Sequence, residues 1–96
     1  MARVSYTANA LANLERAFEF LAAHDPGAAA GAAGAIRDAV EALSRHPLIG
    51  RPVEEGLREL VISYGKTGYV ALYRFLARRD EIRVLAIRHQ RELDYP

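Results

Sequence analysis

The stretches LRELVIS (residues 57–63), YGKTG (64–68) and YVALYRFL (69–76) decide the fold. In the first the apolar period is 2 rather than the helical 3.6, so it reads as a strand. The second holds Gly65 and Gly68 and is expected to form a hairpin turn. The third is apolar on both faces, as a strand in a central position must be. Downstream, Arg78-Arg79-Asp80 is expected to be a tight turn, and Glu81 to His89 a third strand, again apolar on both faces.

Upstream of these strands, His46 to Gly56 reads as a loop containing Pro47 and Gly50-Arg51-Pro52. Before it the period is helical. Leu11, Leu14, Phe18 and Leu21 follow at 3-4-3 spacing on one helical face, with Glu15, Arg16 and Glu19 off it. Thr7 is placed to cap this first helix, expected over residues 8–23. His24-Asp25-Pro26 breaks it, with Asp25 as the next N-cap and Pro26 at N1, where a missing N–H costs nothing. A second helix is expected to about Arg45, with Ile36, Val40 and Leu43 as its large apolar positions.

Gly27, Gly31 and Gly34 lie in its first half, each costing a helix roughly 1 kcal/mol relative to Ala. Side-chain-free surface of this kind is expected where the two helices of a hairpin approach closely. Val4-Ser5-Tyr6 completes the chain as a short first strand. The expected fold is α+β in the order β-α-α-β-β-β. It is one domain over residues 1–96, with a helical hairpin packed on one face of a small, mostly antiparallel sheet.

Composition agrees with one thin core. Half the chain (51%) is apolar, but 18 of those residues are Ala. The net charge is only +1, yet it averages two unlike halves. Residues 1–56 carry 5 Arg against 7 acids, and residues 57–96 carry 8 bases against 5 acids. Cysteine is absent, which excludes disulfides, thiolate nucleophiles and Cys-based zinc sites. The longest uncharged apolar run, Pro26 to Ile36, is far short of the roughly 20 residues a bilayer needs, so no membrane association is expected. With no signal-peptide pattern at the start, the expected location is cytoplasmic. There is no GxGxxG, no GxxxxGK[ST] and no nucleophile elbow. His24, His46 and His89 lack ligand spacing, so neither a metal nor a cofactor is expected.

What remains is the basic second half. Arg74 shares its strand face with Val70, Leu72 and Leu76, where a guanidinium needs an anion or several acceptors. Either Glu59 on the neighbouring strand pairs with it or the site is open to a ligand anion. Strict alternation places Arg88 on one face of the third strand, and Arg83 and His89 on the other. In the tail, Arg91 suits phosphate, His89 proton transfer and Tyr95 base stacking; a solvated, frayed terminus is the plainer alternative.

Several motifs fall in order: Thr7-Ala8 with Leu14, His46-Pro47 with Gly50-Arg51-Pro52, Gly56-Leu57-Arg58-Glu59-Leu60, Tyr73-Arg74, and Arg88-His89-Gln90-Arg91 with Asp94-Tyr95-Pro96. Together they resemble the ParE/RelE superfamily of bacterial toxin–antitoxin toxins over nearly the whole chain. The resemblance implies a small toxin neutralised by a co-expressed ParD-like antitoxin in a toxin–antitoxin hetero-oligomer. Leu11, Leu14, Phe18 and Leu85 are its candidate antitoxin contacts.

Two activities divide that superfamily. RelE-like members cleave mRNA in the ribosomal A site without a metal, and Arg74, Arg91 and Tyr95 match their pattern loosely. Members similar to YoeB use Glu, Arg and His, roles open to Glu54 or Glu55, Arg74 and His89. The second strand, however, offers Arg58-Glu59 where RelE-like enzymes carry lysines. ParE-like members poison DNA gyrase and carry no catalytic set. Arg58-Glu59, Arg51-Pro52 and the Arg-His-x-Arg ending look more like this branch. Arg58, Arg74, Arg83, Arg88, His89, Arg91 and Tyr95 are then the candidate target contacts. A non-toxic antitoxin-binding scaffold is the third alternative.

Overall fold

The computed structural model describes residues 1–96 and has the expected order of elements with one addition. Strand β1 (Arg3–Tyr6) is followed by helices α1 (Ala8–Ala22) and α2 (Pro26–Ala42). Strands β2 (Arg51–Pro52), β3 (Leu57–Tyr64), β4 (Thr67–Leu76) and β5 (Glu81–His89) complete one sheet in the order β1-β5-β4-β3-β2. β1 pairs parallel to β5, and every other pairing is antiparallel. β4 and β5 are central, which accounts for their two apolar faces.

The caps are those the sequence called for. Thr7 Oγ1 accepts from Ala10 N at 3.1 Å, and Asp25 Oδ1 accepts from Ala28 N at 3.1 Å with Pro26 in the first turn. Gly65 opens the two-residue turn between the paired Tyr64 and Thr67 at φ 58°, a left-handed conformation that suits the hairpin twist. Asp80 takes φ 48° after a single 3-10 turn at Ala77–Arg79, and β5 begins at the next residue.

The core lies between the helical hairpin and one sheet face. Tyr73, Ile82 and Val84 from the strands meet Val40 and Leu43 from the second helix and its cap, all fully buried. Ala10, Ala29 and Ala32 are buried as well, so small side chains let the helix backbones sit close to their neighbours.

Three expectations change. The loop before β3 contains β2, whose Arg51 and Pro52 pair with Glu59 and Arg58. Two residues show no period, and Pro52 is tolerated because the strand is an edge. The α1 stripe is also rotated. Leu14, Ala17 and Leu21 pack on the core, whereas Leu11 and Phe18 are 53% and 43% exposed. The side of α1 facing the sheet instead carries the buried Asn13, whose Oδ1 accepts from Ile87 N at 2.9 Å. β1 stops at Tyr6, opposite Val84, so the rest of the β5 edge needs acceptors from α1. Lastly, Gly31 marks a close approach, but to the sheet: a Cβ there would lie 2.0 Å from the Tyr64 hydroxyl. The spacing detected the contact and assigned it to the wrong neighbour.

Candidate functional site

The sheet face away from the helices is open, and the C-terminal tail folds back across it. Its centre is Glu59 on β3, a carboxylate only 7% exposed. Arg51 on β2 donates to Oε1 through both Nε at 3.2 Å and Nη2 at 2.8 Å, two charge-assisted bonds to one oxygen. The Tyr95 hydroxyl donates to Oε2 at 2.6 Å, and Arg88 Nη2 on β5 lies 3.9 Å from the same oxygen. The Arg88 guanidinium also stands 5.1 Å from the centroid of the Tyr95 ring, within cation–π range. Its Nη1 donates to the Glu92 carbonyl at 2.8 Å. The tail is therefore tied at Tyr95 and Glu92, and Asn9 Nδ2 reaches the Pro96 carbonyl at 3.4 Å.

This network sets the titration of its members. The Tyr95 hydrogen bond, with help from Arg51 and Arg88, holds the Glu59 carboxyl below its ordinary value despite desolvation. Burial pushes the Tyr95 hydroxyl far above its ordinary range, and the bond to Glu59 pushes it further. The Tyr95 hydroxyl therefore keeps its proton and donates it to Glu59.

Arg74 is not the partner of Glu59, because Arg51 and Arg88 occupy that carboxylate. Arg74 packs against Gly56, and its one hydrogen bond runs to the Glu55 carbonyl at 3.4 Å. It stands directly across from Arg83 in the β4–β5 register. Arg83 is neutralised by Glu81, which accepts from its Nε at 3.1 Å and from Ser5 Oγ at 2.7 Å. These bonds, the Ser5 contact foremost, hold the Glu81 carboxyl below its ordinary value. Arg58 donates to the carbonyls of Gly50 and Leu48 and so anchors the loop before β2.

The expected faces of β5 need correction. Leu72 pairs with Ala86 and Tyr73 with Val84, so Leu85 is an extra residue in β5. Such a bulge reverses the alternation beyond it. Arg83 and Arg88 therefore share the open face, while His89 faces the helix side, its ring 5.4 Å edge-on from that of Tyr69. Both His89 ring nitrogens are engaged. Nδ1 accepts from Arg91 N at 3.1 Å, and Nε2 meets the Thr67 hydroxyl. His89 pairs with Tyr69, five register positions along β4 from Arg74. At about 3.4 Å per residue that is roughly 17 Å.

The residues of the nuclease alternative are consequently dispersed. Glu54 and Glu55 are exposed in the loop near Arg74, Tyr95 is bonded at mid-sheet, and His89 and Arg91 lie at the far end. Reading the sequence missed the Arg51–Glu59–Tyr95–Arg88 network. Arg51 alone signalled it, as the base preceding an edge proline. Asn13 was missed too, although a polar residue one step before the helical stripe was its signal. No helix is long and apolar enough to cross a membrane.

A helical hairpin on a sheet whose open face carries arginines and a folded-back tail is the build of a small toxin of the ParE/RelE superfamily. Residues 4–94 match the family model described as ParE toxin of type II toxin-antitoxin system, parDE, and the chain belongs to that family. It is 37% identical over 67 residues to Toxin RelE3 of Caulobacter vibrioides, covering 70% of this chain and 71% of that one. A solved structure of the chromosomal ParDE TA system from P. aeruginosa matches it with a TM-score of 0.75 at 26% identity. That likeness covers 93% of this chain and 96% of the other. The protein is a toxin of a type II toxin–antitoxin system.

Proposed function

We propose that this toxin acts by docking on DNA gyrase rather than by cleaving RNA, and that a ParD-like antitoxin neutralises it. The observation that carries this reading is the dispersal of the catalytic candidates. Metal-free RNA cleavage needs a base, an acid and a cation around one phosphate, each within about 3 Å of the atoms it serves. Arg74 on β4 and His89 on β5 are five register positions apart and on opposite faces of the sheet, and the Tyr95 hydroxyl is bonded to Glu59. What is grouped is charge: Arg74 and Arg83 lie side by side on the open face, with Arg88 and Tyr95 further along it. This face is the target-binding surface, and Arg74, with only a carbonyl partner, is its least neutralised cation.

The antitoxin is assigned to the helix side. Leu11 and Phe18 are exposed on α1, and Phe18 lines a cavity of about 460 Å³ between the helices together with Leu14 and Ile36 among others. Leu85, half-buried at the β5 bulge, is a separate candidate contact.

The test is expression without antitoxin, with supercoiling and ribosome-bound mRNA assayed in parallel on purified protein. Gyrase inhibition or trapped cleaved DNA, lost in Arg74→Ala and unaffected in His89→Ala, is the expected result. Periodic mRNA cuts that vanish in His89→Ala would overturn it in favour of a nuclease, the activity that the name of the Caulobacter vibrioides relative evokes. Harmless expression would reduce the protein to an antitoxin-binding scaffold.

A further inference from the structure

A second cavity, of about 510 Å³, lies on neither the open sheet face nor the inter-helix groove. It opens between the later turns of α1 and the end of β5, and its walls include Arg16, Phe20, Tyr69, His89 and Arg91. Its volume suits a small organic ligand. Six of the twelve arginines are engaged within the protein. Arg3, Arg51, Arg83 and Arg88 hold ion pairs, and Arg58 and Arg74 donate to carbonyls. The guanidinium groups of Arg16 and Arg91, like those of Arg37, Arg45, Arg78 and Arg79, do neither, but these two come from residues 75 positions apart in sequence and face one cavity. The acid beside them, Glu92, is turned to the backbone, where its Oε1 accepts from His89 N at 2.9 Å.

Tyr69 supplies an independent observation. It is only 3% exposed, yet its hydroxyl makes no hydrogen bond within the protein, and it lies on the cavity wall. No buried side-chain nitrogen or oxygen of the protein is left unpaired, so this hydroxyl is reached by solvent, at a point where Tyr69 lines both this cavity and the inter-helix one, and it is free to donate to a guest. Burial raises its pKa, so it stays protonated and able to donate. Phe20, 68% exposed, offers an aromatic surface at the rim.

We propose that this cavity binds a nucleoside phosphate, with Arg16 and Arg91 clamping the phosphate, the Tyr69 hydroxyl donating to the ligand and Phe20 supporting the base. Two guanidinium groups suit a dianionic phosphate, since each donates in a planar fork that matches its oxygens. An exposed aromatic beside them favours a nucleotide over inorganic phosphate. The same chemistry is offered by a free nucleotide and by the end of a nucleic-acid strand. The site stands whatever the toxin's target.

The test is amide NMR titration of the full chain with 5′-AMP, adenosine, inorganic phosphate and the trinucleotide pApApA. The expected result is saturable shifts in residues 13–21 and 87–92 with AMP, and at least tenfold weaker binding of adenosine and of phosphate alone. Arg16→Gln and Arg91→Gln are each expected to weaken AMP about tenfold, and Tyr69→Phe several-fold. Both arginines are exposed, so an unchanged melting temperature separates lost binding from lost folding. Tighter binding of pApApA than of AMP assigns the site to a strand, and binding no tighter assigns it to a free nucleotide. Absence of saturable shifts with AMP and pApApA, or wild-type affinity in both arginine variants, overturns the proposal. So does saturation only by an Asp/Glu-rich peptide.

Discussion

The hydroxyl of Tyr95 and the carboxylate of Glu59 meet at 2.6 Å across 36 positions of sequence, and this bond turns a chain end into part of the sheet's surface. A hydrogen bond to a charged group contributes about 1.5–3 kcal/mol. Tyr95→Phe keeps the ring beside Arg88 and removes only this bond, so it is expected to lower stability by about 1–2 kcal/mol. Urea denaturation measures that loss, and faster proteolysis after residue 90 reports the freed tail.

Acid should weaken the same network. The folded carboxyls of Glu59 and Glu81 both lie below the ordinary 4.5, so the folded state binds fewer protons there than the unfolded chain does. Their contribution is fully present above about pH 5 and is lost as pH falls through the folded values. Stability measured from pH 7 to pH 3 is expected to be flat and then to fall. Glu59→Gln should start lower at pH 7 and fall less steeply. An equally steep fall in the variant would show that Glu59 is not a source of the dependence.

The glycines of α2 should respond in opposite senses. At Gly31 an added Cβ meets the Tyr64 ring, so Gly31→Leu is expected to destabilise by about 2 kcal/mol or more through displacement of that ring. At Gly34 the nearest neighbour is the end of the Arg37 side chain at 4.0 Å, so Gly34→Ala should stabilise by about 1 kcal/mol. Thermal melts of the two variants check both signs.

Tyr73 is buried beneath the loop before β2, where its hydroxyl accepts from Gly50 N at 3.0 Å and donates to the Pro47 carbonyl at 2.8 Å. Tyr73→Phe leaves both backbone groups without that partner. The expected cost is about 1–3 kcal/mol, with hydrogen exchange at Gly50 accelerated more than in β4.

Leu11 and Phe18 offer a contrast with Leu14 on the same helix. Substitution of either exposed residue by Ala should cost less stability than Leu14→Ala does, while weakening antitoxin binding more. Leu14→Ala, at a side chain packed on the core, should cost stability even without the antitoxin. Calorimetry with the antitoxin, alongside denaturation of the toxin alone, separates the two effects.

Local physics settles a great deal of this protein from its sequence. Thr7 and Asp25 start helices because their side chains satisfy free N–H groups within three residues, and Gly65 turns a hairpin because only a local torsion is required. The period of 2 in residues 57–63 is enough to place β3, and the two apolar faces of β4 and β5 are enough to make them central. Only the tertiary structure decides which groups meet. One bulged residue, Leu85, reverses the alternation and moves Arg83 to the face of Arg88, which no periodicity reveals. Glu59 takes Arg51, Arg88 and Tyr95 rather than Arg74, because ion pairing follows proximity across strands and a returning tail. Arg16 and Arg91 share a cavity for the same reason: a helix near one end of the chain packs against a strand near the other.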